Sequence, residues 1–127
     1  MSHVFGHGRL PAYGKAVEFY EWVVRMERRL SKHDACLAER LRAAAVSITM
    51  NIAGAAGASK RSRKASRYRS ALAAVTECSA ILDLFAAVQA PDAEFAGMQR
   101  QLESIAMQVG TLQLHATREV APRSGGS

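Results

Sequence analysis

The apolar residues of this chain recur at alternating steps of three and four, in four separate runs. Between Tyr13 and Leu30 they fall at Ala16, Phe19, Val23, Met26 and Leu30, the spacing of a helix that buries one stripe. Tyr20, Trp22 and Val24 flank that seam. Ser31 to Asp34 read as a short turn, with Asp34 placed to cap the next helix. The second run carries Leu37, Leu41, Ala44 or Ala45, Ile48 and Ile52. Alanine at its middle lets a neighbouring helix come close, and Gly54 and Gly57 supply its C-terminal stop. The third run, capped by Ser59 or Ser62, holds Tyr68, Ala71, Val75, Cys78, Leu82 and Phe85. Leu72, Ile81, Leu84 and Val88 add a second apolar strip to this helix, more than one core absorbs, and are the candidate oligomer interface. Pro91 and Asp92 punctuate, and the fourth run follows with Phe95, Met98, Leu102, Ile105, Val109 and Leu112.

Four helices joined by short connections pack with their sequence neighbours. The 3-4 alternation favours shallow crossing angles of left-handed sense. The expected fold is therefore all-α: an antiparallel up-down-up-down four-helix bundle, left-handed, over residues 13–118. Residues 1–12 read as a loosely ordered lead-in and 119–127 as a disordered tail. A chain of 127 residues buries roughly two-thirds of its unfolded surface and needs neither metal nor disulfide to fold. Only 6% of the residues are aromatic, which fits helices packed on small side chains.

Charge changes the picture from fold to partner. The formal net charge is +6, and it is unevenly placed. From Arg25 to Arg69 the balance is +9, whereas the rest of the chain carries −3. Between Lys60 and Arg69 six of ten residues are Lys or Arg, with no acid among them. The run Lys60, Arg61, Arg63, Lys64, Arg67 and Arg69, supported by Arg28, Arg29, Lys32, Arg40 and Arg42, is the candidate nucleic-acid-binding set. Cations at this density bind phosphate by charge and counterion release, without reading sequence. Tyr68 lies within the run, but its spacing assigns it to the core.

Candidate chemistry is sparse. Glu77 has no visible carboxylate, histidine or nucleophile beside it and reads as an ion-pair partner for Arg40 or Arg42. Asn51, one step from the apolar stripe, is of the kind that bonds a neighbouring backbone or side chain. His3 and His7 are four apart, but Gly6 and Gly8 argue against a helix that would aim both at one metal. GAAGASK lacks the spacing and the preceding strand of a phosphate loop. Cys36 and Cys78 have no metal-ligand spacing and read as free thiols of a reducing cytoplasm. No signal-like leader and no uninterrupted apolar run of membrane-spanning length is present. The expectation is a cytoplasmic protein that is not an enzyme, with no cofactor, no metal and no membrane partner.

The segment Ala44-Ala45-Val46-Ser47-Ile48-Thr49-Met50-Asn51-Ile52-Ala53-Gly54-Ala55 resembles the best-marked motif of the bacterial 23S rRNA intervening-sequence proteins. That motif runs as an alanine pair, Val-Ser-Ile-Pro, a small residue, then Asn-Ile-Ala-Glu-Gly. Here Thr49 stands at the usual proline and Gly54-Ala55 at the usual Glu-Gly. Leu10, Tyr13 and Lys15-Ala16 fit the family's opening, and Ala71, Leu72 and Glu77 fit its third helix. The likeness spans most of residues 10–115. It implies a four-helix bundle assembling as a ring-like homopentamer. It also implies a role in nucleic-acid binding or, as in relatives encoded beside diversity-generating retroelements, as a reverse-transcriptase accessory. The expected function is a non-enzymatic oligomeric protein that binds RNA or DNA phosphates. The alternative is an adaptor oligomer with a protein partner such as a reverse transcriptase.

Overall fold

The computed structural model describes residues 6–89 and 92–125, with side chains through Arg118; Met1 to Phe5, with the His3 of the candidate metal pair, and Pro91 lie outside them. Among the described residues the chain is four helices and one short 3-10 turn: the turn at Gly6–Arg9, α1 at Pro11–Ser31, α2 at Ala35–Gly57, α3 at Arg61–Val88 and α4 at Ala93–Gly125. The four helices pack as a bundle. Across the contacts of α1 with α2, α2 with α3 and α1 with α4, rising numbers on one helix meet falling numbers on the other. Glu27 of α1 bonds Arg42 of α2, while Gly6 lies by Ala56. Arg67 of α3 bonds Asn51, and further along Arg40 meets Glu77. Lys15 of α1 bonds Ser104 of α4, while Trp22 bonds Glu94.

The seams read from the sequence form one core. Ala16, Phe19, Val23, Met26 and Leu30 of α1 are buried, as are Leu41, Ala44, Ala45, Ile48 and Ile52 of α2. Tyr68, Ala71, Val75, Cys78, Leu82 and Phe85 of α3 meet Phe95, Leu102, Ile105 and Val109 of α4. Trp22 joins them. Its ring packs edge-on against Phe95 at 5.4 Å, and its indole N–H donates to Glu94 Oε1 at 2.6 Å, which satisfies the one polar atom the ring brings inside.

Three helix boundaries differ from the pattern, each for a local reason. α1 begins at Pro11, because a proline at the first helical position loses no hydrogen bond and already has the helical φ. Residues 6–12 are thus ordered where a loose lead-in was expected: Ala12 is buried, and His7 packs edge-on against Tyr13. α2 runs through Gly54 and stops after Gly57 without a left-handed glycine; Ala58 leaves in extended conformation. The backbone of α4 is helical through Gly125, beyond the 118 at which the bundle was expected to end, and it passes through Gly97 and Gly110 without a break.

Two aspartates start helices. Asp34 Oδ1 accepts from the Leu37 N–H at 2.9 Å, and Asp92 Oδ1 from the Phe95 N–H at 3.0 Å. The bond from Phe95, with Arg29 nearby, holds the Asp92 carboxyl below its ordinary range. Its stabilising contribution is present above the usual carboxylate pKa and is lost as pH falls through the lowered value.

Burial separates Phe85, fully enclosed, from its neighbour Leu84, 55% exposed. Phe85→Ala is expected to lower stability by about 3–5 kcal/mol and Leu84→Ala by less than about 0.5 kcal/mol, read from urea melts of the two variants. Cys36 is exposed and Cys78 buried, neither in a disulfide. Burial, with the Glu77 charge beside it, pushes the Cys78 thiol up to about 12. One thiol per chain should therefore react with a disulfide reagent in the native state and two after denaturation. Two fast thiols in the native state would contradict the burial of Cys78.

Candidate nucleic-acid interface

The chain crosses from α2 to α3 through Ala58, Ser59 and Lys60. Lys60 occupies the N-cap position in extended conformation, without a side-chain cap bond. Neither Ser59 nor Ser62 is the cap, because the residue that turns into the helix is Lys60, and an ammonium can only donate. The first turn of α3 contains no acid and carries Arg61, Arg63 and Lys64. Cations at a helix N-terminus oppose the dipole, and an anion there relieves the arrangement.

The six cations of the run have different situations. Lys64 is half-buried, and its Nζ donates to the Ala55 carbonyl at 2.9 Å. It thereby satisfies the end of α2, which has no basic residue of its own in its last turn, a placement typically worth about 0.3–1 kcal/mol. Arg67 Nη1 donates to Asn51 Oδ1 at 3.1 Å. Asn51 Nδ2 in turn donates to the Ser47 carbonyl at 2.9 Å and to Ser47 Oγ at 3.1 Å. Lys60, Arg61, Arg63 and Arg69 are exposed. Tyr68 is buried, and its phenol is pushed up by burial, so the ring belongs to the core and not to a stacking surface.

The second basic group stands elsewhere. Arg28, Arg29, Lys32, Arg40 and Arg42 surround the start and first turns of α2, whereas the Lys60–Arg69 run begins beyond its end. At 1.5 Å per residue, the 23 residues of α2 span about 35 Å. The fold therefore does not gather the eleven candidate cations onto one surface. Three of the distant group are matched by acids: Arg42 with Glu27 at 2.8 Å, Arg29 with Asp92 at 3.5 Å and Arg40 with Glu77 at 3.6 Å. Glu27, then Tyr20, raises the Arg42 guanidinium above its ordinary value.

The candidate oligomer strip divides as well. Ile81 is buried in the core and Leu72 packs half-buried against it, leaving only Leu84 and Val88 exposed. Ile81 thus serves the bundle and not an outside surface, because α3 is flanked by α2 on one side and α4 on the other. The remaining exposed large apolar residues are spread over three other helices: Val24 on α1, Val46 and Met50 on α2, Met107 and Leu114 on α4. By length and composition alone α3 could cross a membrane; a core helix meets the same criterion, and nine α3 residues are buried in the bundle.

Among the described residues no group of three or more His, Cys, Asp or Glu is placed to hold a metal. Sequence reasoning passed over the seat of Arg67. The signal was a 4-3 spacing of Ser47, Asn51 and Gly54 beside the apolar stripe of α2, which puts three small or polar residues on one flank. No curated protein and no solved structure matches the chain. The 23S rRNA-intervening sequence protein family matches residues 8–110, a span that takes in all of α1, α2 and α3, the basic turn and more than half of α4, and the chain belongs to that family.

Proposed function

We propose that this protein is a non-enzymatic, oligomeric nucleic-acid-binding protein of the cytoplasm, gripping RNA or DNA phosphates with the basic start of α3. The observation that carries the reading is the N-terminus of that helix: no acid in its first turn, no side-chain cap, and exposed Lys60, Arg61, Arg63 and Arg69 around it. Phosphates supply the negative charge that position lacks. Contacts of this kind set affinity through counterion release and leave base sequence unread. In an oligomer several copies of the end would act together, raising avidity without new contacts. The exposed apolar residues of α1 to α4 support assembly, and they equally support a second reading: an adaptor oligomer for a protein partner such as a reverse transcriptase.

Lys64 and Arg67 have jobs inside the fold, so the cleaner test replaces Lys60, Arg63 and Arg69 with alanine. The triple variant should stay folded, each exposed site changing stability by less than about 0.5 kcal/mol. It should bind labelled single-stranded RNA and duplex DNA more weakly, to a similar degree across sequences. Its log-log salt slope should be shallower by about 0.7 per lost contact on single strands and about 0.9 on duplex. Parent affinity with the parent slope overturns the reading. Retention on heparin without affinity for RNA or DNA at physiological salt favours the adaptor. Native mass spectrometry should show an oligomer, expected to be a pentamer; a clean 13.7 kDa monomer at micromolar concentration overturns the assembly.

A further inference from the structure

Gly54 sits in the last turn of α2, still within the helix, where glycine is a poor helix former, and no described glycine uses a left-handed conformation. What the fold uses at this position is the missing side chain. A Cβ built on Gly54 would stand 2.6 Å from Nε and Nη2 of Arg67 and 2.8 Å from its Cζ, so the guanidinium lies directly over the glycine. Asn51, three residues earlier, faces the same guanidinium. Its amide is oriented by Ser47, which takes both bonds from Nδ2 and leaves Oδ1 turned to Arg67 Nη1.

We propose that Asn51 and Gly54 are positioning residues for nucleic-acid binding: together they hold the Arg67 guanidinium flat against α2, pre-formed to take a phosphodiester beside Arg63. The proposal rests on the reading of the α3 start as the phosphate surface. An exposed arginine ordinarily loses rotamer freedom when it binds, and a seated one has already lost much of it. Arg67 remains exposed, and one Nη1 bond leaves further N–H groups of its planar fork for phosphate oxygens. Arg63 stands one turn earlier, so the two side chains emerge on the same flank of α3. Arg63 is exposed and has no hydrogen-bond or ion-pair partner among the described residues, which leaves it available as the second cation. Lys64, between them in sequence, is turned to the Ala55 carbonyl and ties this part of α3 to α2.

Gly54→Ala separates positioning from folding. The added methyl meets only the far end of a flexible side chain and gains helix propensity, so the variant should melt no lower than the parent. Its expected effect is to push the guanidinium off its seat. Binding of a labelled single-stranded RNA, followed by anisotropy across salt, should weaken about tenfold, the size of a charge-assisted hydrogen bond. The salt slope should fall by about 0.7, one phosphate contact. Asn51→Ala and Arg67→Ala should give losses of the same size, and adding Gly54→Ala to Arg67→Ala should cost nothing further. If Gly54→Ala and Asn51→Ala bind as the parent does while the Lys60, Arg63 and Arg69 triple variant is weakened, the basic end stands and the seat is overturned. If none of these variants changes affinity or slope, both readings fall.

Discussion

The bundle depends on how closely α2 can approach α3. Ala38, Ala44, Ala45 and Ala55 are the buried residues of α2 beside only three large ones, Leu41, Ile48 and Ile52. In α3, Ala65, Ala71 and Ala74 are buried among larger side chains. Small residues at a helix contact let two backbones come close, and long cationic side chains then bridge the pair. Three such links run along this pair: Lys64 to the Ala55 carbonyl, Arg67 to Asn51, and Arg40 to Glu77. Lys64 is the cation that offsets the carbonyls at the end of α2, which has no basic residue in its own last turn.

That close approach also shapes the charge of the molecule. It sets the uncapped, cation-bearing N-terminus of α3 next to the end of α2, whose negative pole Lys64 partly answers. The positive pole of α3 has no such answer among its own first-turn residues. At the far end Glu27, Glu77 and Asp92 are each within reach of an arginine, so three of the cations there are paired. The exposed Lys60, Arg63 and Arg69 at the start of α3 have no ion-pair partner among the described residues. Exposed pairs such as these contribute little to stability; their consequence here is to remove three cations from any common anionic surface.

The core shows why the pattern of the chain translated so directly into packing. Each 3-4 run places its large apolar residues on one side of its helix, and four such sides have only one another to cover them. Phe19, Ile48, Leu82, Phe85 and Ile105 end up enclosed for this reason. The second strip of α3 behaved differently. Ile81 is one residue from the seam residue Leu82, and a helix flanked on two sides buries a wider arc than a single seam, so Ile81 went inside while Leu84 and Val88 stayed out. The width of the buried arc is a property of the neighbours and not of the helix's own spacing.

The sequence by itself determined the number of helices, their apolar seams, the Asp34 cap, the burial of Cys78 and Tyr68, and the family motif from Ala44 to Ala55. These follow from periodicity and short-range chemistry, which depend on residues a few positions apart. It also offered Arg40 or Arg42 as the partner of Glu77, and the packing chose Arg40. Only the tertiary structure decided which cations share a surface. Lys64 and Arg67 look equivalent to Arg63 in a basic run, yet one closes α2 and the other lies over Gly54, because helical phase turns them towards a neighbour that local spacing does not locate. Arg28 to Arg42 looked like an extension of the same site and stand at the opposite end, because α2 carries the chain the length of the bundle between the two groups. Burial and capping are local consequences of sequence, whereas a charged surface is assembled from residues brought together, or kept apart, by the packing of whole helices.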